Sequence, residues 1–185
     1  PSALAQMSWT SVTAQGTRDP RVHAGVYKTG NRFLAVNRPS IEDEPERLDK
    51  LEAGARLHIR TTDDTPFERG ESLAVNGVCL TVTAAAGGAV AADIGPETAR
   101  VTTLGQLNPE HPVNLERSMP ATGRFGGHIV QGHVDGVGEV EQIREDGGAH
   151  WLTVSFDASL APYLIEKGSI AVDGVSLTVN ALPAA

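Results

Sequence analysis

The amino-acid sequence predicts an all-β protein, a barrel or sandwich built twice over, with short helices between its strands. Three observations carry this expectation. Ser72-Leu-Ala-Val-Asn-Gly-Val-Cys-Leu-Thr-Val-Thr-Ala84 recurs without gaps, 97 residues on, as Ser169-Ile-Ala-Val-Asp-Gly-Val-Ser-Leu-Thr-Val-Asn-Ala181, with nine of 13 positions identical. Inside the repeat the side chains alternate, Val78, Leu80 and Val82 on one face and Cys79, Thr81 and Thr83 on the other, the period of a half-buried strand. Glycine-bearing turns such as Asn76-Gly77, Gly87-Gly88 and Asp173-Gly174 separate the short apolar runs, and these residue types tolerate the positive φ that tight hairpins need. A duplicated domain of roughly 95 residues accounts for all three.

The elements follow in order. Leu57–Thr62 reads as a strand, then the repeat hairpin, then Ala89–Ile94. Pro96–Thr102 reads as a short helix with proline in its opening turn. Strands follow at Val113–Arg117, Ile129–Val134, Gly138–Gln142 and Trp151–Phe156. A second helix is expected at Ser159–Lys167, capped by Ser159 and stopped by Gly168, before the second repeat hairpin. The block Ala92–Gly105 should recur near position 189, beyond Ala185, so the second copy is expected to be cut short.

Composition narrows the function. Fifteen basic against 23 acidic residues in 185 give a net charge of -8, the wrong balance for a nucleic-acid binder. No apolar run reaches the roughly 18 residues of a membrane span. Pro1–Trp9 lacks the basic start and apolar stretch of a secretory signal. Cys79 stands alone, so neither an internal disulfide nor a cysteine-rich zinc site is open to the chain. His128 and His133, five apart, would point to opposite faces of a strand and make a poor metal pair. The chain reads as a soluble, cytoplasmic protein.

The longer motifs carry a resemblance. Ala74-Val-Asn-Gly-Val-Cys-Leu-Thr-Val82, Pro96-Glu-Thr98, Thr102-Thr-Leu-Gly105, Val113-Asn-Leu-Glu-Arg117, the run from Arg124 to Gly138 containing Gly-Gly-His-Ile-Val-Gln-Gly-His-Val, and Lys167-Gly-Ser-Ile-Ala-Val-Asp-Gly-Val-Ser-Leu-Thr-Val179 are similar to the riboflavin synthase family, α-chain type. The match runs from about Arg47 to Leu182. It implies tandem six-stranded Greek-key barrels, each binding one 6,7-dimethyl-8-ribityllumazine, no cofactor or metal, and a homotrimer. On this basis residues 47–128 form the first barrel and 129–185 the second, both incomplete. Residues 1–46 lack the family's Phe-Thr-Gly opening and read as a foreign segment or a divergent native one. Within them Val22–Tyr27 and Phe33–Val36 can supply two replacement strands, and Asn37–Glu46 reads as an acidic linker.

The resemblance also assigns a site. In the first barrel Val78, Cys79 and Leu80 edge the pocket, and Ala92, Asp93, Ile94, Gly95, Pro96 and Glu97 close it. In the second, Gly132, His133, Val134, Lys167, Ser176, Leu177 and Thr178 take the equivalent places. Small hydroxyl and thiol groups can hydrogen-bond a flat heterocycle without blocking its approach. His133, Cys79, Ser176 and Thr178 are the expected catalytic groups. Taken singly these residues have plainer readings. Cys79 suits a buried small hydrophobe, His133 a structural strand histidine, Lys167 a helix-end charge, and Asp93 and Glu97 solvated charges.

Overall fold

Which side chains a strand buries is set by its alternation, and that alternation organises the two larger sheets among the described residues. The computed structural model describes residues 2–10, 25–29, 32–36, 45–51, 54–61, 63, 65–109 and 111–182, with side chains from residue 54 onward. The elements are β1 (Ser2–Thr10), β2 (Gly25–Thr29), β3 (Arg32–Val36), β4 (Pro45–Leu51), β5 (Gly54–Arg60), β6 (Ser72–Val75), β7 (Val78–Ala86), β8 (Ala89–Ile94), helix α1 (Pro96–Val101), β9 (Leu115–Arg117), β10 (Glu139–Asp146), β11 (Ala149–Asp157), β12 (Ser169–Val172) and β13 (Val175–Ala181). Two compact units contain them, one spanning Ser40–Val134, the other Pro1–Pro39 with Asp135–Ala185.

In the Ser40–Val134 unit six strands form one antiparallel sheet in the order β4-β5-β8-β7-β6-β9. β6, β7 and β8 follow one another through tight turns and β8 returns beside β5, a Greek-key path. The expected faces are present: Val78, Leu80 and Val82 are at most 6% exposed, and they pack with Leu57, Ile59, Leu73, Val75 and Ile94. Each such side chain withdrawn from water contributes about 1.5–3 kcal/mol. Asn76 (φ 47) and Gly77 (φ 78) make the primed hairpin turn. Asn76 is itself buried: its N–H donates to the Asn114 carbonyl at 2.9 Å, and its Oδ1 accepts the Asn114 N–H at 2.7 Å. α1 ends where Thr102 turns extended, and a 3₁₀ turn over Thr103–Gln106 then inserts Leu104 into the core.

In the other unit five strands form an antiparallel sheet in the order β10-β11-β1-β13-β12, and β2 and β3 pair only with each other among the described residues. Leu152, Val154 and Phe156 of β11 and Leu177 of β13 make the core, flanked by Val140, Ile143, Leu160 and Leu164. β12–β13 repeats β6–β7 pair for pair, Ile170 opposite Leu177 as Leu73 is opposite Leu80. Backbone bonds repeat too: Gly70 and Lys167 donate to Val82 and Val179 at 2.8 and 2.6 Å, and Val82 and Val179 donate back to Glu71 and Gly168, both at 2.9 Å. Neither sheet closes into a barrel among the described residues; β4, β9, β10 and β12 each pair on one side.

Three local expectations need correction. Ile129–Val134 is not a strand: Gly132 takes φ +76 and Ile129 is 64% exposed, so neither the backbone nor a buried face supports one. Ser159–Lys167 is not an α-helix. A 3₁₀ turn covers Ala158–Tyr163, Asp157 rather than Ser159 caps it by accepting the Ser159 N–H at 2.9 Å, and Pro162 lies within it. β2 and β3 appear where replacement strands were expected, but as a separate hairpin, leaving Pro45–Leu51 to flank β5. Residues 22–24 and the linker stretch 37–44 lie outside the described residues.

Candidate functional site

The outward face of β7 is where the repeat puts its polar side chains. Cys79 is half-buried and Thr81 exposed, while their neighbours Val78 and Leu80 turn into the core. A second segment arrives beside Cys79. The Cys79 N–H donates to the Gly132 carbonyl at 2.9 Å, and a Cβ on Gly132 would lie 2.6 Å from the Cys79 Cβ and 2.7 Å from its nitrogen. Only a residue without a side chain lets the chain pass this close, and its φ of +76 has the same requirement. Val134 then packs on the first core, which leaves His133 exposed between two anchored residues. The sequence places Gly132, His133 and Val134 with the second copy; the described contacts hold them on the first-copy strand carrying Cys79.

The other assigned residues of this unit divide by burial. Ala92 and Ile94 are each 1% exposed and so can offer a ligand only backbone groups. Asp93 is committed: Arg56, its cross-strand partner, donates Nε and Nη2 to its carboxylate at 2.6 and 2.8 Å. That guanidinium holds the Asp93 carboxyl below the usual carboxylate range, against a smaller opposing effect of burial. Glu97 accepts a similar fork from Arg100 on α1, which lowers its pKa. Gly95 and Pro96 are exposed at the helix start. An open cavity of about 400 Å³ lies elsewhere, at the far end of β7, lined by Asp63, Phe67, Gly87 and Gly88 among others. Its six-residue remove from Cys79 along the strand is roughly 20 Å, so it is not the pocket the sequence describes.

In the unit containing β13, Ser176 and Thr178 are exposed, and Leu177 between them is 4% exposed in the core. Lys167 stands at φ +64, the place Gly70 (φ +94) holds in the first copy, pinned by its bond to Val179. Its Nζ lies 3.5 Å from the Asn180 Oδ1. The ladder therefore gathers Lys167, Ser176 and Thr178 on one hairpin. One candidate is not among the site residues that the resemblance assigns. Thr81 is the repeat mate of Thr178, exposed as Thr178 is, and the offset of 97 was the signal that could have found it. Among the described residues no group of three or more His, Cys, Asp or Glu is placed to hold a metal ion, and no helix is long and apolar enough to cross a membrane.

Fold and site together define a duplicated β-sheet protein that presents one Gly-Val-(Cys/Ser)-Leu-Thr edge per copy. The lumazine binding domain family matches residues 40–118 and 131–184. The chain belongs to that family. It is 52% identical over 110 residues to the riboflavin synthase of Actinobacillus pleuropneumoniae, covering 60% of this chain and 51% of the relative. It is 50% identical over 113 residues to that of Bacillus subtilis, covering 61% and 53%. The chain thus spans about half the length of these curated relatives. Among solved structures it is similar to LumP complexed with riboflavin, with a TM-score of 0.65 and 26% identity over 74% of this chain and 76% of that one. LumP complexed with 6,7-dimethyl-8-(1'-D-ribityl)lumazine gives 0.64 and 25%, over 75% of each chain.

Proposed function

We propose that the chain acts as a riboflavin synthase, a transferase that dismutates two molecules of 6,7-dimethyl-8-ribityllumazine into riboflavin and 5-amino-6-(ribitylamino)uracil, as a cytoplasmic homotrimer. The observation that carries this is the hairpin strand presented twice in one register, Cys79 and Thr81 on β7 and Ser176 and Thr178 on β13. Two like surfaces suit a reaction between two like molecules. Holding both reactants aligned can itself supply several kcal/mol, since an oriented pair replaces a bimolecular encounter. One lumazine loses a proton from its 7-methyl group, and the carbanion adds to a ring C=N carbon of the other, whose nitrogen takes up the electron pair. The lumazine attacked then gives its four-carbon unit to the first, and its two ring nitrogens leave as the amines of the uracil product. His133, exposed beside the Cys79 strand, is the base. Cys79 assists addition to the acceptor or hydrogen-bonds the adduct. Lys167 and the Ser176–Thr178 edge bind the second heterocycle.

Fluorescence titration with the lumazine and with riboflavin tests the binding half, with affinity expected in the micromolar range or tighter, about -8 kcal/mol. No binding at millimolar ligand would sink the reading. The likeness to LumP favours a second reading, a non-catalytic lumazine- or flavin-binding protein. Tight binding with no riboflavin formed from the lumazine would select it.

A further inference from the structure

β1 lies outside the residues that match the family, yet it occupies the middle of the second sheet. Its register can be set beside that of the first sheet. There β8 lies between β5 and β7, with Ala92 opposite Leu57 on one side and Val82 on the other. In the second sheet Met7 is opposite Leu152 on β11 and Val179 on β13, and Val179 is the repeat mate of Val82. Both ladders then slip at the same place. β7 skips Thr83 between Val82 and Ala84, and β13 skips its repeat mate Asn180 between Val179 and Ala181. Gln6 therefore stands where Ala91 stands in the first sheet, and by the same count Ser8, Trp9 and Thr10 stand where Asp93, Ile94 and Gly95 stand. Two ladders and one bulge agree on a single register, and a slip of one residue would exchange the two faces of the strand.

We propose that β1 is the second copy's β8: it completes that sheet in register, and its Ser8–Thr10 end forms a wall of the second lumazine site. This rests on the ligand reading above, in which the end of β8 closes the first site. The two walls differ in chemistry. The first carries a carboxylate at Asp93, already paired with Arg56. At the matching register positions the second copy has Ser8 and Thr10 in the sequence, where the first has Asp93 and Gly95.

Two variants and one titration test it, using riboflavin as the probe with stoichiometry read from quenching of its fluorescence. Met7→Pro removes the backbone donor in mid-strand. A graft gives β1 the sequence of β8, as Ala5→Val, Gln6→Ala, Met7→Ala, Ser8→Asp, Trp9→Ile and Thr10→Gly. The parent chain should take two equivalents, the graft two, and Met7→Pro one, with the β11 amides exchanging faster and the β5 amides unchanged. Two equivalents retained by Met7→Pro would overturn the proposal and leave the ligand reading standing. If Met7→Pro unfolds the whole chain, the graft decides: two equivalents support the proposal and one overturns it. A parent chain that binds no riboflavin removes the ligand reading, and the proposal with it.

Discussion

At the scale of single residues the proposed chemistry turns on His133, exposed beside the strand that carries Cys79. A positioned acid–base group contributes roughly 10²- to 10⁴-fold. His133→Ala should lower riboflavin formation by about that factor while lumazine binding barely changes, as stopped assays beside titrations would reveal. Cys79→Ser should be milder, because Ser176 already fills the matching position. Acid stability follows from the carboxylates. Asp63 is lowered first by the Thr65 N–H it accepts at 2.9 Å and then by Arg117, and Asp93 by Arg56. A carboxyl depressed by folding stabilises the fold above its unfolded pKa of about 4, and that contribution fades as pH falls through the folded value. The melting temperature should therefore drop below about pH 4, and Asp63→Asn should flatten that drop; an unchanged acid profile in the variant would refute the assignment.

At the scale of elements, some placements were legible in the chain and some were not. β7 and β13 could be read from alternation and the repeat, because a strand's period is local. β1 carried a signal of the same kind, Ala3, Ala5, Met7 and Trp9 alternating with mostly polar residues, but nothing local says that such a strand will pair between β11 and β13. The approach of Gly132 to Cys79 is likewise a pairing between residues 53 apart, with no periodicity to announce it. Gly132→Ala should push this segment off β7, since the new Cβ has 2.6 Å where ordinary contact needs more. The variant should weaken both turnover and lumazine affinity, and retained wild-type kinetics would count against a shared Cys79–His133 site. Arg117 on β9 holds another junction. Its guanidinium donates to Asp63 at 3.0 Å, to Glu71 at 2.9 Å and to the Thr65 carbonyl, and lies 3.7 Å from the Phe67 ring centroid. Arg117→Ala should cost about 2 kcal/mol, read by chemical denaturation, because charged hydrogen bonds of partly buried groups are lost together.

At the scale of the whole molecule, the chain divides into two units, Ser40–Val134 and Pro1–Pro39 with Asp135–Ala185, each with its own core. Calorimetry should resolve two unfolding transitions. Leu57→Ala, at a site with no exposed surface, should lower one of them by about 2–5 kcal/mol of stability and leave the other in place. A single transition that shifts as a whole would show instead that the units unfold together. The edges of both sheets expose unpaired backbone groups along β4, β9, β10 and β12 among the described residues, and such edges template pairing with other chains. The chain should accordingly associate on concentration, and a clean heat-resistant monomer in size-exclusion chromatography would contradict this.

The turn that starts β7 also has a bearing on how the protein ages. An Asn-Gly pair is the dipeptide most open to deamidation, because the glycine nitrogen meets little hindrance in attacking the asparagine side chain. In the folded chain the Asn76 amide oxygen is engaged by the Asn114 N–H and the residue is 7% exposed, so the five-membered ring that the reaction requires is slow to form. Loss of structure removes that protection. The direct product would carry aspartate, which the second copy already tolerates in the same turn at Asp173 (φ 47), whereas the isomer with a lengthened main chain could not keep the hairpin. The first copy's hairpin thus contains a slow chemical clock that runs only while the sheet is open.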